Sequence, residues 1–368
     1  MDFFETALYK NALRQVKFRM EAAAARNVEI FGNAWYKDHF RVNPTPHTVS
    51  EFDTILGNST LAIAASTING KSAEPLRALD GFSSIAQKMF THAHAYRLDA
   101  DEIRELMIMS KTLGEKQVLN YIVDKLFNVT KRAVDGVRAR LDIIILEALK
   151  NDGVFTFSAS NDPGSPFVGQ SISFGFNSSH AGTVGSGNTW VDANLATVDP
   201  LVEITSVCDQ ADVQFEKILI SKADLYYILK TAKMKAYINT VQTVNAPLTP
   251  VQLNNFMTSL GLPTFEIVQR KCRVQDDNDF TEYQPFGTGK LVFLPKNEIG
   301  SIETRLSDAE LGLVSPGVEY SHYGRIEVAN YKMGEKENTS YTEITKARLT
   351  AAPSMDTIAD MYTLDVTQ

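Results

Sequence analysis

The sequence predicts a mixed α+β fold built around one long helix, and three observations carry that expectation. In GEKQVLNYIVDKLFNVTKRAVDGVRARLDIIILEALK, residues 114–150, the apolar residues Val118, Ile122, Leu126, Val129, Ala133, Val137, Leu141, Ile144 and Ala148 recur every three or four positions. That spacing puts them on one stripe of a helix. Strand-type sequence follows at once, in Val154-Phe155-Thr156-Phe157 and Ser171-Ile172-Ser173-Phe174-Gly175-Phe176. From 216 to about 330, short apolar runs then alternate with capped helical segments, the pattern of a compact α/β unit inserted in the chain.

The long helix has its own start and stop signals. Thr112 and Glu115 have the spacing of a capping box, and Asn151-Asp152-Gly153 offers residues that tolerate a left-handed backbone. Asp124, Lys131, Arg132, Asp135, Arg138 and Arg140 fall mostly off the apolar stripe. No proline interrupts the run, so it reads as one helix roughly 50 Å long at ~1.5 Å per residue. Such a helix must cross a domain as a spine. The apolar spacing departs from a strict heptad, which argues against a coiled coil.

Before the spine, residues 3–26 read as an amphipathic helix with Phe3, Phe4, Leu8, Leu13, Val16 and Met20 on its apolar side. This arm, taken as residues 1–50, packs either on its own chain or on a neighbour. Residues 51–98 read as a thin two-stranded excursion. Its strands are expected at 60–65 and 89–96, with an Asn69-Gly70 turn and a loose stretch at 72–85. Asp99 to Glu102 open a short helix with acidic residues at its positive end. Residues 99–215 form the spine domain in this reading, with a Gly/Ser-rich exposed loop at 178–188.

The inserted unit, 216–334, contains a helix over 222–237 capped by Ser221, a second from Leu248-Thr249-Pro250 to Gly261, and strands at 265–268, 281–283 and 290–295. The remainder, 335–368, contains two strands, at 340–348 and 362–366, that are expected to return to the spine domain.

The chain's 368 residues, 44% of them hydrophobic, can bury two modest cores. A net charge of -8 leaves no basic surplus for a protein held to nucleic acid by phosphate contacts. Cys208 and Cys272 stand far apart with no metal-spaced partner, so reduced thiols are expected. No apolar run reaches membrane-spanning length, and Met1 to Glu5 lack a signal peptide's basic start. Assembly in a cytoplasm is therefore expected, with no membrane contact. No long charged extension precedes the first helix, which suggests that no scaffolding domain is fused.

Candidate chemistry is sparse. His92 and His94 lie two apart on an expected strand, so both rings face one side, as in some metal sites; no third ligand is evident. Asp276, Asp277 and Asp279 could gather a hard cation but lack the glycine and terminal glutamate of a calcium loop. Gly287-Thr288-Gly289-Lys290 evokes a phosphate loop, yet lacks its spacing and precedes a strand. No nucleophile elbow, Cys/His dyad or dinucleotide fingerprint appears. The expected catalytic, cofactor and metal residues are none, and the expected cofactors none.

The order of parts resembles the tailed-phage major capsid protein, an α+β Hong Kong 97-type fold with N-arm, E-loop, P-domain and A-domain, and within it the lambda-like subgroup. The residues that carry the resemblance are IVDKLFNVTKRAVDGVRARLDIIILEALKNDG, NTWVDANLATVDPLVEI at 188–204, FEKILISKADLYYILKTAKMKAYI at 215–238, GTGKLVFLPKNEIG at 287–300 and SMDTIADMYTLDV at 354–366. Glu147 and Gly153 stand for the glutamate and glycine at the helix end. The resemblance implies homo-hexamers and homo-pentamers closing into an icosahedral head around double-stranded DNA, with portal, scaffold and possible decoration proteins as partners. Lys71 sits near the E-loop turn, but no motif for a subunit cross-link surrounds it, and none is expected. Two other classes fit less well: an encapsulin-like nanocompartment shell, and a soluble metal-dependent enzyme using His92 and His94.

Overall fold

The computed structural model describes residues 7–25, 34–56, 83–98, 101, 102, 105, 108, 109, 115–239, 246–276, 279–333 and 342–367. The expected strand at 60–65, the Asn69-Gly70 turn, Thr112, Lys71 and Asp277 lie outside the described residues.

The spine is α2, Glu115–Lys150, preceded by the arm helix α1, Ala7–Ala25. Along the first two-thirds of α2 the buried positions follow the expected stripe: Ile122, Leu126, Ala133 and Val137 are inaccessible, while Asp124 and Arg132 are exposed. From Leu141 to Leu149 every residue is buried, Asp142 and Glu147 included. Here the helix is covered on all sides, because two sheets enclose it. Gly136, in mid-helix, costs about 0.5–1 kcal/mol of helix stability relative to Ala. A Cβ there would lie 2.9 Å from the His94 ring, so the glycine permits close approach of helix and strand.

The first sheet contains β1 (Phe40–Val42), β4 (Phe90–Leu98), β13 (Gly300–Thr304), β14 (Glu319–Tyr323), β15 (Ile326–Met333) and β16 (Thr342–Ser354), ordered β1-β13-β16-β15-β14 with β4 along the other edge of β16. β16 is its centre. It pairs antiparallel with β4 from Glu343↔Leu98 to Ala351↔Phe90, and its opposite edge serves first β15 and then β13. The strand expected at 89–96 thus belongs to the spine sheet. The excursion is paired instead as β2 (Glu51–Leu56) with β3 (Ser83–Lys88), in register from Glu51↔Lys88 to Leu56↔Ser83.

The second sheet, ordered β7-β17-β12-β8-β9, comprises β7 (Ala181–Thr183), β8 (Lys217–Ser221), β9 (Thr264–Val268), β12 (Lys290–Leu294) and β17 (Tyr362–Asp365). Ile218, Ile220, Leu291 and Phe293 face a core shared with α3 (Pro200–Gln210), α4 (Lys222–Lys230), α5 (Ala232–Ile238) and α6 (Pro250–Ser259). Leu219, Val292 and Leu294 face the spine core. Burial on both faces is why β8 and β12 read as continuous apolar runs without alternation.

Three expectations are corrected by this topology. β13 to β15 lie in the spine sheet, so the inserted unit ends before Gly300. β7 and Trp190, Val198 and Ile204, placed by sequence with the spine domain, pack in the inserted unit's core. The last strand does not return to the spine sheet but pairs with β12 and β7, and Leu364 and Val366 fill the second core. The helix expected over 222–237 is two helices, broken at Thr231, whose backbone is extended (ψ 140°). Its buried hydroxyl donates to the Ile228 carbonyl at 2.8 Å.

The local signals at the other ends are as expected. Ser221 accepts from the Asp224 amide, and Thr249 and Gln252 form a capping box. Asp152 and Gly153 both adopt positive φ, and the Gly153 amide returns to the Ala148 carbonyl at 2.8 Å. A Cβ on Gly153 would sit 2.5 Å from the Phe176 Cβ. Gly153→Ala is therefore expected to lower stability by about 1–3 kcal/mol, read as an earlier urea unfolding midpoint at unchanged slope.

Candidate functional site: the spine hub, the histidine cleft and the outlying elements

Two carboxylates in the enclosed end of α2 gather the surrounding chain. Asp142 accepts the backbone N–H groups of Trp35 at 3.2 Å and Tyr36 at 3.0 Å, and pairs with Arg270 at 2.6 Å. Burial raises its pKa, opposed by the Arg270 charge and the two amides. Glu147, one to two turns on, accepts from Asn161 Nδ2 at 2.9 Å and from the Tyr283 hydroxyl. Burial again raises its pKa, against those hydrogen bonds. Arg140 donates to the Asn161 carbonyl and to Asp162, both at 2.7 Å. The three residues together fix the arm's exit, the 157–170 loop, and the hairpin of β10 (Cys272–Asp276) and β11 (Asp279–Tyr283). Every one of these contacts is structural.

His92 and His94 do face the same side of β4, toward the spine. They line a cleft of about 380 Å³ with Phe90, Gly136, Arg140 and Phe167. Burial and the nearby Arg140 charge bring the His92 pKa down to about 3, and the same two causes lower that of His94. A neutral imidazole is a competent metal ligand, but among the described residues no group of three or more His, Cys, Asp or Glu side chains comes together to hold a metal. Asp276 and Asp279 are cross-strand partners at the tip of the β10–β11 hairpin. In the Gly287 to Lys290 turn, the Gly289 amide donates to Asp224 at 2.8 Å and the Lys290 ammonium binds Asp152 at 2.7 Å. Both groups that could meet a phosphate are engaged within the fold. Cys208 and Cys272 are free thiols. Burial, with Asp209 beside it, pushes the Cys208 thiol up to about 11, far from a nucleophile's range.

The arm helix is held mainly by a cluster of its own, although its Met20 reaches the spine core. α1 docks on the first half of the spine through Tyr9, Ala12 and Val16 against Ile122, Val123 and Leu126, a separate small cluster, supported by Arg19 to Asp124 at 2.6 Å. Phe18, on its outer side, is 70% exposed. Among the described residues the β2–β3 ribbon is a two-stranded sheet; Thr54 bonds Ser354 of the body at 3.0 Å, and the Met89 amide donates to the Ser50 carbonyl at 2.7 Å across the ribbon's base. Two-stranded ribbons are marginal in water unless they lie on something.

A long spine helix, a sheet centred on a C-terminal strand, an inserted unit, an arm helix and a two-stranded ribbon make up the architecture among the described residues. A solved structure shares that architecture. The chain matches a candidate capsid protein of a prophage of Escherichia coli CFT073, with a TM-score of 0.60 over 96% of this chain and 98% of that one, at 13% identity. A phage-related protein of Bordetella bronchiseptica RB50 (TM-score 0.46, 10% identity, 96% of each chain) and the capsid of Myoviridae phage XM1 (TM-score 0.40, 12% identity, 93% and 97%) also align. No family model matches the sequence, and no curated protein matches it. The fold is the Hong Kong 97-type fold of phage capsid proteins. The comparisons single out no lambda-like subgroup.

Sequence inspection passed over Asp142 and Arg270 because a charged residue inside an apolar run resembles a solvated position until the covering sheet is known. Two outcomes check this description. Asp142→Ala removes the acceptor of two amides and strands Arg270, so a loss of about 3–5 kcal/mol is expected in denaturant unfolding. His92 binds its proton less readily when folded than its free value of 6.5, so its contribution is present above that pH and is lost as pH falls from about 6.5 toward 3. Stability measured across that window should fall less steeply in His92→Gln than in the parent.

Proposed function

We propose that this chain is a phage major capsid protein whose copies assemble as hexamers and pentamers into the icosahedral head enclosing double-stranded DNA. The single observation that carries the reading is the fold match over nearly the full length of both chains. The arm and ribbon support it physically: α1 is held mainly by a small cluster of its own, the ribbon has two strands among the described residues, and each would gain partners when laid across a neighbouring subunit. Closed shells follow from repeating one such contact around rotation axes. A net charge of -8 suits a container that must admit and release DNA without gripping it, so DNA is enclosed with no sequence-specific contact. Assembly takes place in the host bacterial cytoplasm, with portal, scaffold and possible decoration proteins as partners. The protein is not an enzyme, carries no cofactor, and forms no cross-link through Lys71.

Negative-stain electron microscopy with light scattering, on the protein expressed alone and with its neighbouring genes, tests the proposal. Rings, tubes or closed shells hundreds of ångströms across are expected. A monomer or dimer in both preparations overturns it, and shells filled with a cellular enzyme instead of DNA assign the chain to the encapsulin-like alternative.

A further inference from the structure

We infer that the first turns of the arm helix are held by a protonation-dependent latch: a buried carboxyl group of the spine sheet, Glu343, clasped by the hydroxyl of Tyr9. The geometry is specific. Glu343 is the second residue of β16, paired with β15 on one side and β4 on the other, and is 3% exposed; Tyr9, 5% exposed, reaches it from α1. Apolar contacts hold this end of the arm as well. Its apolar contacts belong to the small cluster of Tyr9, Ala12 and Val16 with Leu98 and the first half of the spine, whereas Met20, near the other end of α1, sits in the main core. The start of α1 can therefore leave while the two sheets stay packed.

The charges around the latch are arranged to make its protonation matter. From β14, Glu319 adds a negative charge; on β15, Lys332 stands opposite Glu343 in register; on β4 the partner is the apolar Leu98. Glu21, further along α1, faces Tyr323 of β14. Burial, with repulsion from Glu319, raises the Glu343 pKa from 4.5 to about 7, even against the hydrogen bond from Tyr9. A protonated carboxyl is at home in that site, and a carboxylate is not. Undocking α1 admits water and restores an ordinary carboxyl. The docked state thus holds a proton that the undocked state releases, so the latch is fully present below about 4.5 and is lost as pH rises through about 7. This is a property of the single chain and holds whether or not the chain forms a shell. In a shell it would free the arm for a neighbour as the pH rises.

Hydrogen–deuterium exchange of the full-length protein between pH 5 and pH 8, corrected for intrinsic base catalysis, tests the latch. Protection over residues 7–16 is expected to fall at least about fivefold across that range, while the β16 core stays protected. Glu343→Gln keeps a neutral hydrogen-bonding group and should make the arm's protection independent of pH. Glu319→Gln leaves the latch intact and should move the upper end of the transition to lower pH. Tyr9→Phe should loosen the arm at every pH. A parent protein with flat protection, a Glu343→Gln variant that keeps the parent's pH dependence, or a transition unmoved in Glu319→Gln overturns the inference.

Discussion

The structure depends on how a single helix turn accommodates a carboxylate with no access to water. Asp142 could not remain in the core of this protein as an isolated ion, since desolvation alone would cost several kcal/mol. It is kept by convergence: two amides from the segment leaving the arm and one guanidinium from the strand connection after β9. That segment then continues the linkage. Trp35 stacks on His39 at 4.2 Å, His39 bonds Glu266 of β9 at 2.8 Å, and Lys217 of β8 closes on the same glutamate at 2.7 Å. Burial pushes the Glu266 carboxyl up, but the hydrogen bonds from His39 and Lys217 outweigh it and bring it down to about 2. One chain of hydrogen-bonded, ionic and stacking contacts therefore runs from the spine through the arm's exit to the second sheet.

This arrangement lets two sheets of different chain origin share one helix. The spine sheet is assembled from both ends of the sequence around β16, and the second sheet takes strands on either side of the inserted helices plus the C-terminal β17. Each sheet turns one face to the enclosed end of α2, and the second also covers a core of its own. The rigid part of the molecule is where those three surfaces meet. The first half of α1 and the ribbon lie at its margin, attached by a small apolar cluster and by polar contacts, while Met20 of α1 reaches into it.

That division of rigidity suits the assembly proposed above. In such an assembly a well-buried body would preserve the repeated geometry, and the extensions would adapt to neighbours in unlike positions. The candidate chemical groups follow the same logic. His92, the Gly289 amide, Lys290 and Glu147 all satisfy or line the interior of the body.

By itself the sequence determined what depends on local spacing. The spine, its Asp152-Gly153 stop, the Ser221 and Thr249 caps and the short apolar strands are each set by neighbours within a turn or a pleat, and each is legible there. So was the family resemblance, which rests on the order of such parts. Only the tertiary structure decided which strands pair, because hydrogen-bonding edges carry no label in sequence: β4 and β13 to β15 joined β16, and β17 joined β12. It also decided the meaning of charged residues within apolar runs. Asp142, Glu147 and Glu343 look like solvated positions until the surfaces that cover them, and the partners that compensate them, arrive from more than a hundred residues away.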